Sequence, residues 1–171
     1  AYGFHAFELL LSMVESRRGG ESGIARVEFL NADALKKAAD DGRWSIEVAD
    51  AAMAAELSSP HSVFELIEGE NEVGAHGVLV THRDGLKSMI LRSASYSDTR
   101  WNFACRLKGE SKIRATRWRV GPWQNRNLFK ALSHAIQDHF VRGQSPYPVE
   151  RTLMVSGMLD AAMKSQHRGA P

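Results

Sequence analysis

The pattern of hydrophobic and polar positions in this chain is organised around residues 76–120, where apolar residues recur in short runs. Asp84-Gly85 separates the first two runs, His76–His82 and Leu86–Arg92, and this dipeptide indicates a tight hairpin because its turn needs positive φ values. In Trp101–Lys108 every second residue is apolar, which is the pattern of a strand with one buried face. The segment therefore predicts four consecutive strands in one antiparallel meander.

Apolar spacings of three and four residues predict helices before and after this meander. A strand at Ile24–Leu30 precedes a helical excursion that Asn31 or Asp33 can cap, and residues 58–75 receive no assignment. The predicted helices are 4–18, a short one ending at Asp41, 46–57, 127–142 and 149–165.

This order of elements predicts the α+β class, as a single domain over 1–171 with a mainly antiparallel open sheet and helices packed on one face. The helices 4–18, 127–142 and 149–165 are expected to cover that face. The other face is left for solvent or for another subunit.

Composition changes this picture little. The chain has 171 residues, 43% hydrophobic content and a net charge of +2, and so small a charge does not by itself indicate nucleic acid or a membrane as a partner. The lone cysteine, Cys105, excludes an intrachain disulfide and favours a cytoplasmic setting. The N-terminal apolar run is too short to span a bilayer, and its abrupt start predicts that a further domain precedes it.

Candidate catalytic chemistry is sparse in the sequence. No His, Cys, Asp or Glu spacing matches a recognised metal site, and His134 and His139 lie five residues apart, off a common helical face. No Gly-x-Ser-x-Gly elbow is present, which ranks hydrolases low. His5, near the start of the first helix, is the candidate acid/base because histidine titrates near neutral pH. The alternative is a partly buried histidine at a helix start.

Basic and aromatic residues crowd together around the last two predicted strands. Three tryptophans, Trp101, Trp118 and Trp123, are interleaved with cations that only Asp98 and Glu110 oppose. The cations are Arg100, Arg106, Lys108, Lys112, Arg114, Arg117, Arg119 and Arg126. Such a surface can stack and neutralise single-stranded nucleic acid, but the small overall charge favours an anionic substrate or a subunit contact instead.

Three stretches resemble the C-terminal domain of the Gfo/Idh/MocA-type oxidoreductases: GFHAFELLLSMV followed by a strand, the central DGL hairpin, and SPYPVERTLMVSGMLDAAMKS. The last stretch is the most specific, and the resemblance covers nearly the whole chain. It implies an open, mainly antiparallel sheet flanked by helices, and an exposed sheet face that supports oligomers. It also implies an upstream Rossmann domain that binds NAD or NADP.

The resemblance further implies an activity and site residues. Members of the family oxidise or reduce a sugar or polyol carbon, and His5 matches their acid/base histidine, whereas Ala1 stands where they carry aspartate. Tyr2 and Arg151 are expected to orient the substrate. The sequence has no strand followed by Gly-x-Gly-x-x-Gly opening a helix, so this chain is expected neither to hold NAD(P) nor to catalyse alone.

Three functions stay open on the sequence. The first is the substrate-binding and oligomerisation domain of an NAD(P)-dependent oxidoreductase acting on a sugar, polyol or related hydroxyl compound. Its partners would be a small-molecule substrate, the upstream Rossmann domain and a second copy on the sheet face, with no membrane. The second function is a non-enzymatic dimerisation scaffold, and the third is a single-stranded nucleic-acid binding module.

Overall fold

The computed structural model describes residues 2–55, 62–63, 75–92, 100–119 and 126–169. The elements within them are α1 (Tyr2–Val14), β1 (Ile24–Leu30), α2 (Ala32–Asp40), α3 (Ile46–Ala54), β2 (His76–His82), β3 (Lys87–Arg92), β4 (Arg100–Arg106), β5 (Ile113–Arg119), α4 (Arg126–Arg142) and α5 (Val149–Arg168). All strand pairing is antiparallel and helices pack against the strands, so the predicted α+β class is confirmed.

The chain divides into two compact units. The first holds α1, β1, α2, β2, β3 and α5, and the second holds α3, β4, β5 and α4. The single domain over 1–171 stays a prediction, because two compact units can belong to one domain. The unassigned residues 58–75 lie outside the described part of the chain, except for Ser62, Val63 and Ala75.

A three-stranded antiparallel sheet in the order β1-β2-β3 forms the centre of the first unit. β1 and β2 pair from Leu30 opposite Gly77 to Ile24 opposite His82. The predicted Asp84-Gly85 hairpin joins β2 to β3: Gly85 has a φ of +87°, and its N–H donates to the carbonyl of His82 at 3.0 Å.

The four strands predicted over residues 76–120 do not form one meander. Among the described residues, β2 and β3 belong to the three-stranded sheet, whereas β4 and β5 pair with each other in a separate two-stranded sheet. The prediction of one continuous meander is wrong. Period-two alternation identifies each strand and its buried face, but it does not specify which strand lies alongside.

The main core of the first unit lies between one face of its sheet and the helices α1 and α5, as predicted for these two helices. The most buried members are Phe7, Leu11, Val80, Val155, Met158 and Ala162. At the edge of the sheet, the N–H of Phe29 in β1 donates to the hydroxyl of Ser165 in α5 at 2.9 Å. Packing and this hydrogen bond together fix α5 over β1.

The second face of the sheet is partly covered by α2. Leu35 of this helix is fully buried and lies over Gly77, where an added Cβ would come within 2.9 Å of Leu35 Cδ2. Alternation along β2 puts Gly77 and Leu79 on the face opposite Val80, and Leu79 is buried as well. The face that the sequence leaves open for another subunit is therefore occupied along this part of β2.

The second unit is built on the β4-β5 hairpin, against which α3 packs. Glu47 of α3 forms an ion pair with Arg106 of β4. Asp50 of α3 accepts the backbone N–H of Val63 at 2.6 Å. These contacts hold α3 and the short segment at Val63 within this unit.

Helix α4 also belongs to the second unit, where no described element packs along it and its apolar side chains are exposed. Within its own unit, this helix therefore does not bury its apolar face as the sequence predicts. An amphipathic pattern shows that a helix has an apolar face, but it does not show what covers that face.

Candidate functional site

The candidate acid/base His5 lies on the exposed side of α1, with its ring edge-on to Phe4 at a centroid distance of 6.0 Å. The opposite side of α1 carries Phe7 and Leu11 into the core. The alternative of a partly buried histidine is therefore wrong, since this imidazole is open to solvent. Ala1 and the side chain of Tyr2 lie outside the described part of the chain.

Arg151, the second predicted substrate contact, is engaged within the first unit. Its Nε lies 2.8 and 3.1 Å from the two carboxylate oxygens of Glu15, and its Nη2 lies 2.5 Å from Oε2. Two N–H groups on one carboxylate make a bidentate, geometrically specific ion pair. This pair fixes the end of α1 to the start of α5, and a substrate contact by Arg151 stays a prediction.

Two arginines of the β4-β5 hairpin lie on the face opposite to its aromatic residues. Trp101 lies opposite Trp118 in the register, and Phe103 packs edge-on to Trp118 at a centroid distance of 6.1 Å. Arg106 and Arg117 alternate with these aromatic residues along their strands, so the pleat directs them to the opposite face.

A platform that stacks bases and neutralises phosphates needs both residue types on one surface. Arg114 does share the tryptophan face, but it is paired with Glu110 at 3.0 Å. Trp123 and Asp98 lie outside the described residues, as do the side chains of Arg100, Arg119 and Arg126. Nucleic-acid binding by the hairpin therefore stays a prediction.

An open cleft of about 420 Å³ lies in the first unit, where β1 leads into α2. Its floor includes Phe29 and His76, whose rings stack with centroids 5.3 Å apart. Its lining consists of Phe29, Asn31, Ala32, Asp33, Ala75, His76 and Gln166, so neither His5 nor Arg151 reaches it. Asn31 has a structural role here as the predicted cap of α2, because its Oδ1 accepts the N–H of Ala34 at 2.9 Å.

A buried polar network lies under the turn that joins β2 to β3. The side chain of His82 has no exposed surface, and its Nε2 lies 3.1 Å from Ser88 Oγ while its Nδ1 lies 3.3 Å from Glu21 Oε1. The contacts therefore run from a serine to a histidine to a glutamate, as the contacts within a hydrolase triad do. A nucleophile must also be reachable by substrate, and Ser88 is buried, so we interpret this network as structural.

Arg17 extends the network to the surface of the first unit. Its Nε donates to Asp84 Oδ2 at 2.8 Å, its Nη2 donates to Ser22 Oγ at 3.0 Å, and its Nη1 lies 3.5 Å from Glu21 Oε2. The sequence places Arg17 in the last turn of the first helix, but α1 ends at Val14. The guanidinium therefore clamps the hairpin turn to the segment after α1.

Folding lowers the pKa of two carboxyl groups in this network. Burial by itself would raise the pKa of Glu21, but the N–H of Gly23 and the contacts with His82 and Arg17 together outweigh it and lower that pKa. The pKa of Asp84 is lowered mainly by the hydrogen bond from Arg17, and further by the backbone N–H of Leu86. Both carboxyl groups are thus held in their charged form.

We expect acid to weaken the fold through Glu21. A carboxyl group whose pKa is lowered by folding stabilises the protein above its unfolded pKa, and this stabilisation is lost as the pH falls through the folded pKa. Glu21→Gln should lower the free energy of unfolding near neutral pH by about 1–2 kcal/mol. It should also reduce the loss of stability between about pH 5 and pH 3.

Urea denaturation at a series of pH values measures this difference. Asp160→Asn, which changes an exposed carboxylate paired with Lys164, is the control and should shift stability by less than about 0.5 kcal/mol. Parallel pH curves for the unmodified chain and Glu21→Gln would contradict the role given to Glu21.

The sequence reasoning missed His82 and its partners, although one signal was available. Positions 78, 80 and 82 alternate along β2, so His82 falls on the same face as Val78 and Val80. A histidine that follows two valines on a buried strand face needs buried hydrogen-bond partners. The pattern could not reveal that Glu21, 61 residues away, supplies one of them.

Comparisons of this chain with protein families, with curated proteins and with solved structures found no match in any of the three. The Gfo/Idh/MocA resemblance therefore stays a prediction from the sequence. None of the helices in the described ranges is long and apolar enough to cross a membrane. In the same ranges, no three His, Cys, Asp or Glu side chains come together as a candidate metal site.

Proposed function

We propose that this chain is the substrate-side and oligomerisation domain of an NAD(P)-dependent oxidoreductase that acts on a sugar, a polyol or a related hydroxyl compound, and that it is not catalytic alone. The observation that supports this best is the placement of His5. An exposed imidazole stands on a helix whose other side is buried in the core. A proton-transfer group needs this combination of solvent access and a rigid support.

The ion pair between Arg151 and Glu15 contributes to that rigidity. It fixes the end of α1 to α5, while Phe7 and Leu11 fix the middle of α1 to the sheet. The helix that carries His5 is therefore held at two places. In the proposed reaction, His5 exchanges a proton with the hydroxyl group of a bound substrate.

The connection from β1 to α2 does not favour a dinucleotide cofactor at that place. The fully described strand-to-helix connection, from β1 to α2, has Asn31 as its cap and Asp33 in the first turn. A carboxylate at this helix end opposes a diphosphate, which would need glycine and free N–H groups there. The proposal therefore assigns NAD(P) to an upstream Rossmann domain, and it includes a cytoplasmic setting.

Isothermal titration and NMR test this proposal on the chain as it is. NADH and NADPH should give no heat beyond dilution, whereas polyols at millimolar concentration should shift the imidazole signals of His5. Assignment of those signals uses His5→Gln, and His134 on α4 serves as the internal control. Tight binding of NADH by this chain, or polyol shifts at His134 equal to those at His5, would contradict the proposal.

The dimerisation scaffold is the second candidate, and a different observation favours it. Helix α4 exposes a row of large apolar side chains, and monomeric proteins rarely leave such a surface uncovered. A scaffold needs no proton-transfer group. This second candidate therefore predicts that no small hydroxyl compound shifts the imidazole signals of His5.

A further inference from the structure

Five large apolar residues of α4 form one stripe, which we call the α4 stripe. Its members are Leu128, Phe129, Leu132, Ile136 and Phe140, and their exposed fractions lie between 48% and 81%. Four of them recur at intervals of four residues, so they share one side of the helix. The stripe lies on a regular helix of 17 residues, Arg126–Arg142, and is therefore a preformed surface.

Most polar residues of α4 lie away from the stripe, whereas His139 lies within it and packs edge-on to Phe140 with ring centroids 5.9 Å apart. Lys130, His134 and Gln137 occupy the other side of the helix and are exposed as well. The acidic Asp138 is positioned within 3.8 Å of Arg142 on the same helix. No Lys, Arg, Asp or Glu side chain therefore lies among the apolar residues of the stripe. An apolar partner surface would meet no unpaired charge at the centre of the stripe.

We propose that the α4 stripe is a self-association surface and that its occupant is the same stripe of a second copy. The inference rests on the oligomerisation part of the proposed function and does not depend on the oxidoreductase part. The α4 stripe takes the place of the sheet face as the proposed oligomer interface, because α2 already covers part of that sheet face in the first unit.

The exposed area supports a second copy as the occupant. Five large apolar side chains that are between 48% and 81% exposed present roughly 500 Å². Two stripes face to face remove about 1,000 Å² from water, which reaches the lower limit for a specific interface. A two-fold dimer uses the same patch on both copies, so this surface meets the requirement without any contribution from another protein.

Analytical ultracentrifugation of the full 171-residue chain tests the inference. Leu132→Glu/Phe140→Glu places two carboxylates in the stripe and should raise the dimer dissociation constant at least about 100-fold. His134→Glu/Gln137→Glu adds the same charge to the other side of α4 and should change the constant less than about threefold.

Three results would overturn the inference, and they point to different failures. If the unmodified chain is a monomer at high concentration, both the stripe and the oligomerisation part of the proposed function fail. If Leu132→Glu/Phe140→Glu dimerises as well as the unmodified chain, only the stripe fails.

The third result is a thermal unfolding temperature of the stripe variant, measured at a concentration where all chains are monomers, that falls by more than about 4 °C. Such a loss would mean that the stripe is packed within one chain. The inference predicts an unchanged temperature, because the side chains replaced are exposed in the monomer.

Discussion

Phe7→Ala is expected to lower the free energy of unfolding by about 3–5 kcal/mol. The ring of Phe7 is almost completely buried and belongs to the cluster that α1 and α5 form with β2. Alanine would remove the apolar surface of the ring and leave a cavity that neighbours such as Leu11 and Val155 cannot fill without moving. Urea denaturation of the purified chain, monitored by circular dichroism, measures the loss.

Met13→Ala provides the matched control on the same helix. Met13 lies on the exposed side of α1, so its replacement should cost no more than about 0.5 kcal/mol. A loss below about 1 kcal/mol for Phe7→Ala, or equal losses for the two variants, would mean that α1 does not pack on the sheet. The support of His5 in the proposed function would then fail as well.

His82→Ala should have the second largest effect, a loss of about 2–4 kcal/mol. The imidazole is fully buried and bridges Ser88 and Glu21. Its removal leaves the Ser88 hydroxyl without that partner, takes one contact from the Glu21 carboxylate and opens a cavity beneath the hairpin turn. His134→Ala, at an exposed position of α4, is the control and should cost less than about 0.5 kcal/mol.

A double-mutant cycle separates the hydrogen bond from the cavity. If His82 and Ser88 act as one unit, the losses of His82→Ala and Ser88→Ala should fail to add by about 0.5–3 kcal/mol. Strictly additive losses would show that the two side chains are not coupled. The interpretation of Ser88, His82 and Glu21 as one structural network would then lose its basis.

The β4-β5 hairpin shows that residues interleaved along a strand need not share one face. In the sequence, arginines stand between tryptophans, and this interleaving suggests one basic and aromatic platform. Interleaving at a period of two means the opposite in a strand, because neighbouring residues point to different faces. The register of β4 and β5 therefore separates Arg117 from Trp118.

The candidate site was only partly predictable from the sequence. The exposed position of His5 agrees with a role that needs solvent access, and the spacing of apolar residues along α1 made that position foreseeable. The pairing of Arg151 with Glu15 was not foreseeable, because the two residues are separated by 136 positions in the chain. Local patterns give the orientation of a side chain within its own element, but they give no information on its partner in another.

The sequence by itself determined the features that depend on neighbouring residues. These are the identity of the strands and helices, the Asp84-Gly85 turn, a polar cap of α2 at Asn31 or Asp33, and the buried side of α1. Each follows from backbone preferences or from the alternation of polar and apolar positions within one segment.

Only the tertiary structure decided which elements meet. It paired β2 and β3 with β1 and separated them from β4 and β5, it covered part of the second sheet face with α2, and it left the α4 stripe exposed. It also brought Glu21 to His82 beneath the hairpin turn. The physical reason is the same in each case: a hydrophobic or hydrogen-bonding surface specifies the chemistry of its partner, whereas the path of the chain decides which segment provides it.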